Sequence, residues 1–113
     1  MKWKFIKGEN VEEQDFGSIK VKNFLSDDNY KTFDVAKVSI VGDQKFGLDK
    51  KSDICYYVLE GEGTFFVEDE KILVKKGDCI FIPKNTKYRD EGALTLLAIS
   101  APKFESKNHV TVE

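Results

Sequence analysis

At 113 residues the chain has the length of one domain and is too short for two. Apolar residues make up 41 % of it, enough to close a core without disulfide staples. Its 18 basic and 20 acidic side chains leave a formal charge of −2, which disfavours the concentrated positive surface of a nucleic-acid binder. The longest apolar runs are Ile54–Leu59 and Ala93–Ile99, the second broken only by Thr95. Both fall far short of the ~20 residues that span a bilayer. Met1–Gly8 has no apolar stretch of signal-peptide length, so a cytoplasmic protein with no membrane partner is expected.

The first predicted element is a short helix over Glu9–Phe16. The later signals are mostly of period two, not 3.6. Ser18–Lys22 alternates polar and apolar residues, as a half-buried strand does. Phe33–Ile40 is β-branched and strand-like, and Ile54–Leu59 fits a strand better than a helix. Thr64–Val67 and Lys71–Val74 flank Glu68-Asp69-Glu70 and read as a hairpin with an acidic tip. Cys79–Ile82 stops at Pro83, which cannot continue a central strand. Leu94–Ile99 is the last strong strand. Turn residues at Gly42, Gly61/Gly63, Gly77, Asn85 and Gly92 separate these runs, and the tail after Pro102 is polar and expected to be loose. Many short strands at such spacing define an all-β antiparallel sandwich or barrel. The expected organisation is a single barrel over residues 1–113, with a strand-rich N-terminal extension over about 1–30 and a loose tail over about 103–113.

Cys55 and Cys79 do not have CxxC spacing, and their apolar surroundings suggest buried free thiols. The one histidine, His109, lies in the tail, so a site with two or three imidazoles cannot form within one chain. Arg89 is expected to point outward and pair with Asp90 or Glu91.

Two strings resemble a known family. Tyr56-Tyr57-Val58-Leu59-Glu60-Gly61-Glu62-Gly63-Thr64-Phe65 and Lys75-Lys76-Gly77-Asp78-Cys79-Ile80-Phe81-Ile82-Pro83 are similar to the two motif regions of the cupin superfamily. The resemblance covers roughly Val38 to Phe104 and implies an RmlC-like double-stranded β-helix, or jelly-roll barrel, and by analogy a homodimer. Gly42 and Gly61 fit the ends of the first motif, and Gly77 and Pro83 fit the second. Asn85 stands in for a motif glycine, which its tolerance of left-handed geometry permits.

The family's metal ligands would fall on Leu48, Lys50, Ile54 and Tyr88, and all four are replaced. The resemblance therefore implies a metal-independent protein with no cofactor. Strand parity adds Tyr56 and Val58 to the inner face and turns Asp49 and Asp53 outward. The expected pocket has Leu48, Ile54 and Val58 as apolar wall, with Lys50, Tyr56 and Tyr88 as polar groups. A concave apolar site with a few placed polar groups suits a small polar metabolite of carboxylate, keto or sugar-like kind. Lys50 and Tyr88 are the candidate acid/base or anchoring groups, for isomerase, epimerase or lyase-type proton transfer. Two alternatives stand beside this reading: a binding domain without chemistry, and a dimeric interaction module with a degenerate site.

Overall fold

The structure, a computed structural model, describes residues 3–27 and 29–112. Among the described residues nine strands follow one another: β1 (Glu13–Asp15), β2 (Ile19–Asn23), β3 (Asp34–Asp43), β4 (Gly47–Asp49), β5 (Asp53–Val67), β6 (Glu70–Lys75), β7 (Cys79–Ile82), β8 (Tyr88–Ala101) and β9 (His109–Thr111). They form one curled antiparallel sheet in the order β1-β2-β3-β8-β4-β9, with β5 joining β8 and carrying β6 and β7 on its other edge. No helix among the described residues is long and apolar enough to cross a membrane.

The expected strands form where β-branched and aromatic residues concentrate, with some differences. Gly61 and Gly63 do not end a strand. β5 runs straight through them as a 15-residue strand, with a bulge between Val58 and Glu60. The glycines bend the strand because two backbones come too close for a side chain. A Cβ at Gly61 would collide with the Ala93 carbonyl, and one at Gly63 with the Glu91 carbonyl. The tail also differs from expectation. It carries β9, which pairs with β4 through Gly47↔Thr111, Leu48↔Val110 and Asp49↔His109.

The helix placed over Glu9–Phe16 is replaced by a 3-10 turn at Gly8–Asn10 followed by β1. The segment has no apolar stripe of helical spacing to bury. As a strand it sets Glu13 opposite Lys22 and Asp15 opposite Lys20, and such opposite-charge cross-strand pairs support the pairing.

The core lies under the β5–β8 crossing, where Val58, Phe65 and Leu96 are wholly excluded from solvent beside Ile40, Val74, Ile82 and Leu94. Asn85 has φ +63°, the left-handed geometry its place in the second motif requires.

Gly61→Ala is expected to cost more stability than Gly77→Ala in urea unfolding. Both glycines have positive φ (+86° and +94°), so each alanine incurs roughly 1–3 kcal/mol of backbone strain. Only Gly61 adds the collision, since a Cβ at Gly77 meets nothing within 4 Å. Equal losses would show that the close approach at Gly61 does not exist.

Candidate functional site

Residues paired across the sheet share a face, so the registers define rows of side chains. One inner row reads Asn23, Ala36, Ala98, Tyr56, and the next towards one rim reads Asp34, Ser100, Ile54. The row on the other side, Val21, Val38, Leu96, Val58, passes into the core. Ala36 and Ala98 lie opposite each other, and two methyl groups cannot fill the curl of the sheet. A cavity of about 900 Å³ opens over them.

Tyr56 enters this cavity from β5. Tyr88 and Asp90, two residues apart and therefore on one face of β8, enter from the other side, and His109 arrives on β9. The Tyr56 and Tyr88 hydroxyls share a 2.7 Å hydrogen bond. Tyr56 packs against Phe65 at 5.5 Å between ring centroids, and Tyr88 meets His109 edge-to-face at 6.1 Å.

Burial governs the electrostatics. It pushes both phenols above the ordinary tyrosine range, with the nearby Asp90 and Asp49 carboxylates acting in the same direction. Both tyrosines are therefore neutral hydrogen-bond donors near neutral pH. Burial also pushes the Asp90 carboxyl up to about 6, against the pull of its own backbone N–H and of Arg89. It lowers His109, which Asp49 partly offsets. Asp49 Oδ1 accepts the backbone N–H groups of Lys51 and Ser52 at 2.9 and 2.7 Å, while Asp49 Oδ2 and His109 Nδ1 are buried without a protein partner. Burial raises Asp34 at the rim. Its two carboxylate oxygens accept from the Val35 N–H and from Asn23 Nδ2.

The six residues expected to build the site are dispersed. Ile54, Tyr56 and Tyr88 line the cavity. Val58 is fully buried beneath it as core. Leu48 is half-buried on β4 and Lys50 is exposed, and neither is on the cavity wall. Lys50 is thus corrected as a catalytic candidate and Leu48 as a wall residue. The reason is local. Inside/outside alternation does not carry through from residue 48 to 54, because the chain turns at Lys50–Ser52 between β4 and β5 and the turn resets it. The same reset buries Asp49, which was expected to face outward, and leaves Asp53 exposed.

Sequence reasoning passed over Asp90, His109 and Asp34. Asp90 could have been found, because it shares parity with Tyr88 once β8 is allowed to start there. The sequence offers Asp90 or Glu91 as the partner of Arg89, and the structure gives Glu91, at 3.0 Å, with the guanidinium stacked on Phe66. His109 had no local signal. It reaches the site through the long-range β4–β9 pairing.

The residues do not fit the divalent ion usual in this fold. Ile54 offers hydrocarbon and Tyr88 a neutral phenol at two former ligand positions, while Leu48 and Lys50 are off the cavity wall. Among the described residues no group of three or more His, Cys, Asp or Glu side chains could hold a metal.

This geometry is the jelly-roll barrel fold of the cupins, with other residues where their usual metal ligands stand. Residues 43–93 match the family model for the Cupin domain. An uncharacterised protein of Aquifex aeolicus (strain VF5) is 42 % identical over 64 residues, 54 % of this chain and 53 % of that protein. The chain spans about half the length of the curated relatives it matches. Among solved structures, Streptomyces Pac13, a nucleoside dehydratase seen with uridine, superposes with a TM-score of 0.87 at 23 % identity, covering 100 % of this chain and 93 % of that one. KdgF from Halomonas sp. superposes with a TM-score of 0.78 at 18 % identity, covering 94 % and 99 %.

Two predictions follow from the site. Tyr56→Phe and Tyr88→Phe should each cost about 1–3 kcal/mol, because each leaves the other hydroxyl without its partner. The double variant should cost less than the sum in a denaturant cycle, and additivity would mean the shared hydrogen bond is absent. Asp90 holds its proton more tightly folded than unfolded. Stability therefore falls as pH rises from about 4 to about 6 and stays lower above that, by on the order of 3 kcal/mol. Asp90→Asn should melt higher than the parent at pH 8 and lose that advantage at pH 4. His109, present in both proteins, cancels in the difference. A gain independent of pH would contradict the raised Asp90 pKa.

Proposed function

We propose that this protein holds a small polyhydroxylated or carbonyl-bearing metabolite, of nucleoside or sugar kind, in its barrel and moves protons there without a metal. The observation that carries this reading is the hydrogen-bonded Tyr56–Tyr88 pair on the wall of a 900 Å³ cavity that also holds Asp90. The volume suits a ligand of drug or nucleoside size, and the wall combines apolar side chains with a few placed polar groups.

The reaction best supported is β-elimination of water. The Asp90 carboxylate, titrating near 6, takes a proton from the carbon next to a carbonyl. The β carbon–oxygen bond breaks, and the tyrosine pair delivers a proton to the departing oxygen, which leaves as water. The carboxylic acid that Asp90 has become returns its proton to the tyrosine pair, so the site ends as it began. Neutral phenols suit the donor role and would be poor bases. Pac13 supports the reading by likeness: it is described as a nucleoside dehydratase, and its structures with uridine include two different variants in which a tyrosine is replaced by phenylalanine. Asp34, Asn23 and Ser100 at the rim are suited to hydroxyl groups of such a ligand.

A thermal-shift series with uridine, other nucleosides, uronates and keto sugars tests this. A ligand at ~100 times its dissociation constant should add about 2.7 kcal/mol, several degrees in a domain this size. The shift should survive a chelator and the Lys50→Met change, and weaken in Tyr88→Phe. Loss of water from the bound ligand, followed by mass, should vanish in Asp90→Asn. A cooperative melt unmoved by every ligand, or a shift that needs a divalent ion, would overturn the proposal. Binding without product would assign the cavity to recognition alone.

A further inference from the structure

The two cysteines are not buried apart as their sequence surroundings suggest. β5 and β7 pair with Cys55 opposite Phe81 and Tyr57 opposite Cys79, so the cysteines are diagonal neighbours on the outer face of the sheet. That face is the reverse of the one from which Ile54 and Tyr56 enter the cavity. The sulfur atoms lie 3.1 Å apart, and both thiols are free. The gap is roughly 1 Å longer than a disulfide bond of ~2.05 Å, and the diagonal arrangement already brings the side chains together. Cys79 is exposed and Cys55 half-buried behind it. β7 is an edge strand with β5 as its sheet neighbour, and it has only four residues, so it can shift by the small amount needed.

We propose that Cys55 and Cys79 form a redox-active dithiol on the outer wall, with Cys79 as the attacking thiol and Cys55 as the resolving one. The partner is a low-molecular-weight disulfide, RSSR. The Cys79 thiolate attacks one of its sulfurs; the RS–SR bond breaks, a Cys79–S–S–R bond forms, and RS⁻ leaves. Cys55 then loses its proton and attacks Cys79 Sγ. The protein disulfide forms and the second RS⁻ leaves. Two protein thiols have given up two electrons, one RSSR has gained them, and the two protons end on the two RSH molecules. Exposure makes Cys79 the first nucleophile. The hydrogen bond between the sulfurs, together with burial, raises the Cys55 thiol and keeps it protonated until the mixed disulfide has formed beside it. The product would tie β5 to β7 directly behind Tyr56 and enclose the β5–β6 hairpin in a covalent loop. This assignment is independent of what the cavity binds.

The test uses the full chain, fully reduced and then incubated with excess oxidised glutathione. Samples are quenched with iodoacetamide and read by intact mass. The expected product is monomeric, lighter by two hydrogens and closed to alkylation. It is restored by reductant and melts several degrees higher than the reduced protein. Cys55→Ser should stop at one glutathione adduct on Cys79, and Cys79→Ser should acquire an adduct at least about tenfold more slowly. Peptide mapping of wild-type protein after brief oxidation gives the same assignment without a variant, because the first glutathione should be found on Cys79. Two thiols that stay open to alkylation, an adduct that never resolves, a disulfide between two chains, or a first adduct on Cys55 would each overturn the proposal.

Discussion

The pairing of β5 with β8 is the interaction on which the rest of the molecule depends. It runs from Asp53↔Ala101 to Val67↔Tyr88 and is interrupted by one bulge. Two strands this long cannot remain flat. They curl where Gly61, Gly63 and Gly92 let the backbones touch, and beyond the bend each strand presents its inner face to a different part of the barrel. That curl lets Tyr56, in the first half of β5, meet Tyr88, at the start of β8, although in the ladder Tyr56 pairs with Ala98 and Tyr88 with Val67. A flat ladder would hold the two tyrosines far apart. The site is thus a consequence of the bend, and the bend requires residues without side chains at the crossing.

The cavity gathers titratable groups and buries them. Asp90, Asp34, Tyr56 and Tyr88 are all pushed towards their protonated forms, and His109 towards its neutral one, with burial as the leading cause in each case. The result is a wall with two neutral phenols and one carboxyl poised near 6. Proton exchange near neutrality suits such a wall.

Much of the fold was legible in the chain. Polar/apolar alternation marks β2, β-branched residues mark β3, the hairpin pattern around Glu68–Glu70 marks β6, the run stopped by Pro83 marks β7, and an apolar run marks the second half of β8. The glycine and proline frame carried the likeness to cupins, and Asn85 takes the left-handed geometry its motif position implied. Legibility failed wherever a reading had to cross a turn. Counting inward positions from Leu48 to Ile54 passes through Lys50–Ser52, where the chain reverses and parity restarts. Lys50 therefore lies outside while Asp49 is buried. Gly61 reads as a strand end because an isolated sequence does not show that a second backbone presses on that position.

By itself the sequence determined which segments are strands, that the barrel is of the cupin kind, that its usual metal ligands are gone, and that Tyr56 and Tyr88 are inner residues. The strands follow from residues that each segment carries itself, while the cupin kind and the replaced ligands come from the likeness of the Tyr56–Phe65 and Lys75–Pro83 strings to that family. Only the tertiary structure decided the rest: the hydroxyl-to-hydroxyl contact, the cavity over Ala36 and Ala98, the burial that shifts Asp90, the arrival of His109 and the meeting of the two cysteines. Each joins residues far apart in the chain, and their proximity is set by sheet register and curl, to which every strand contributes at once.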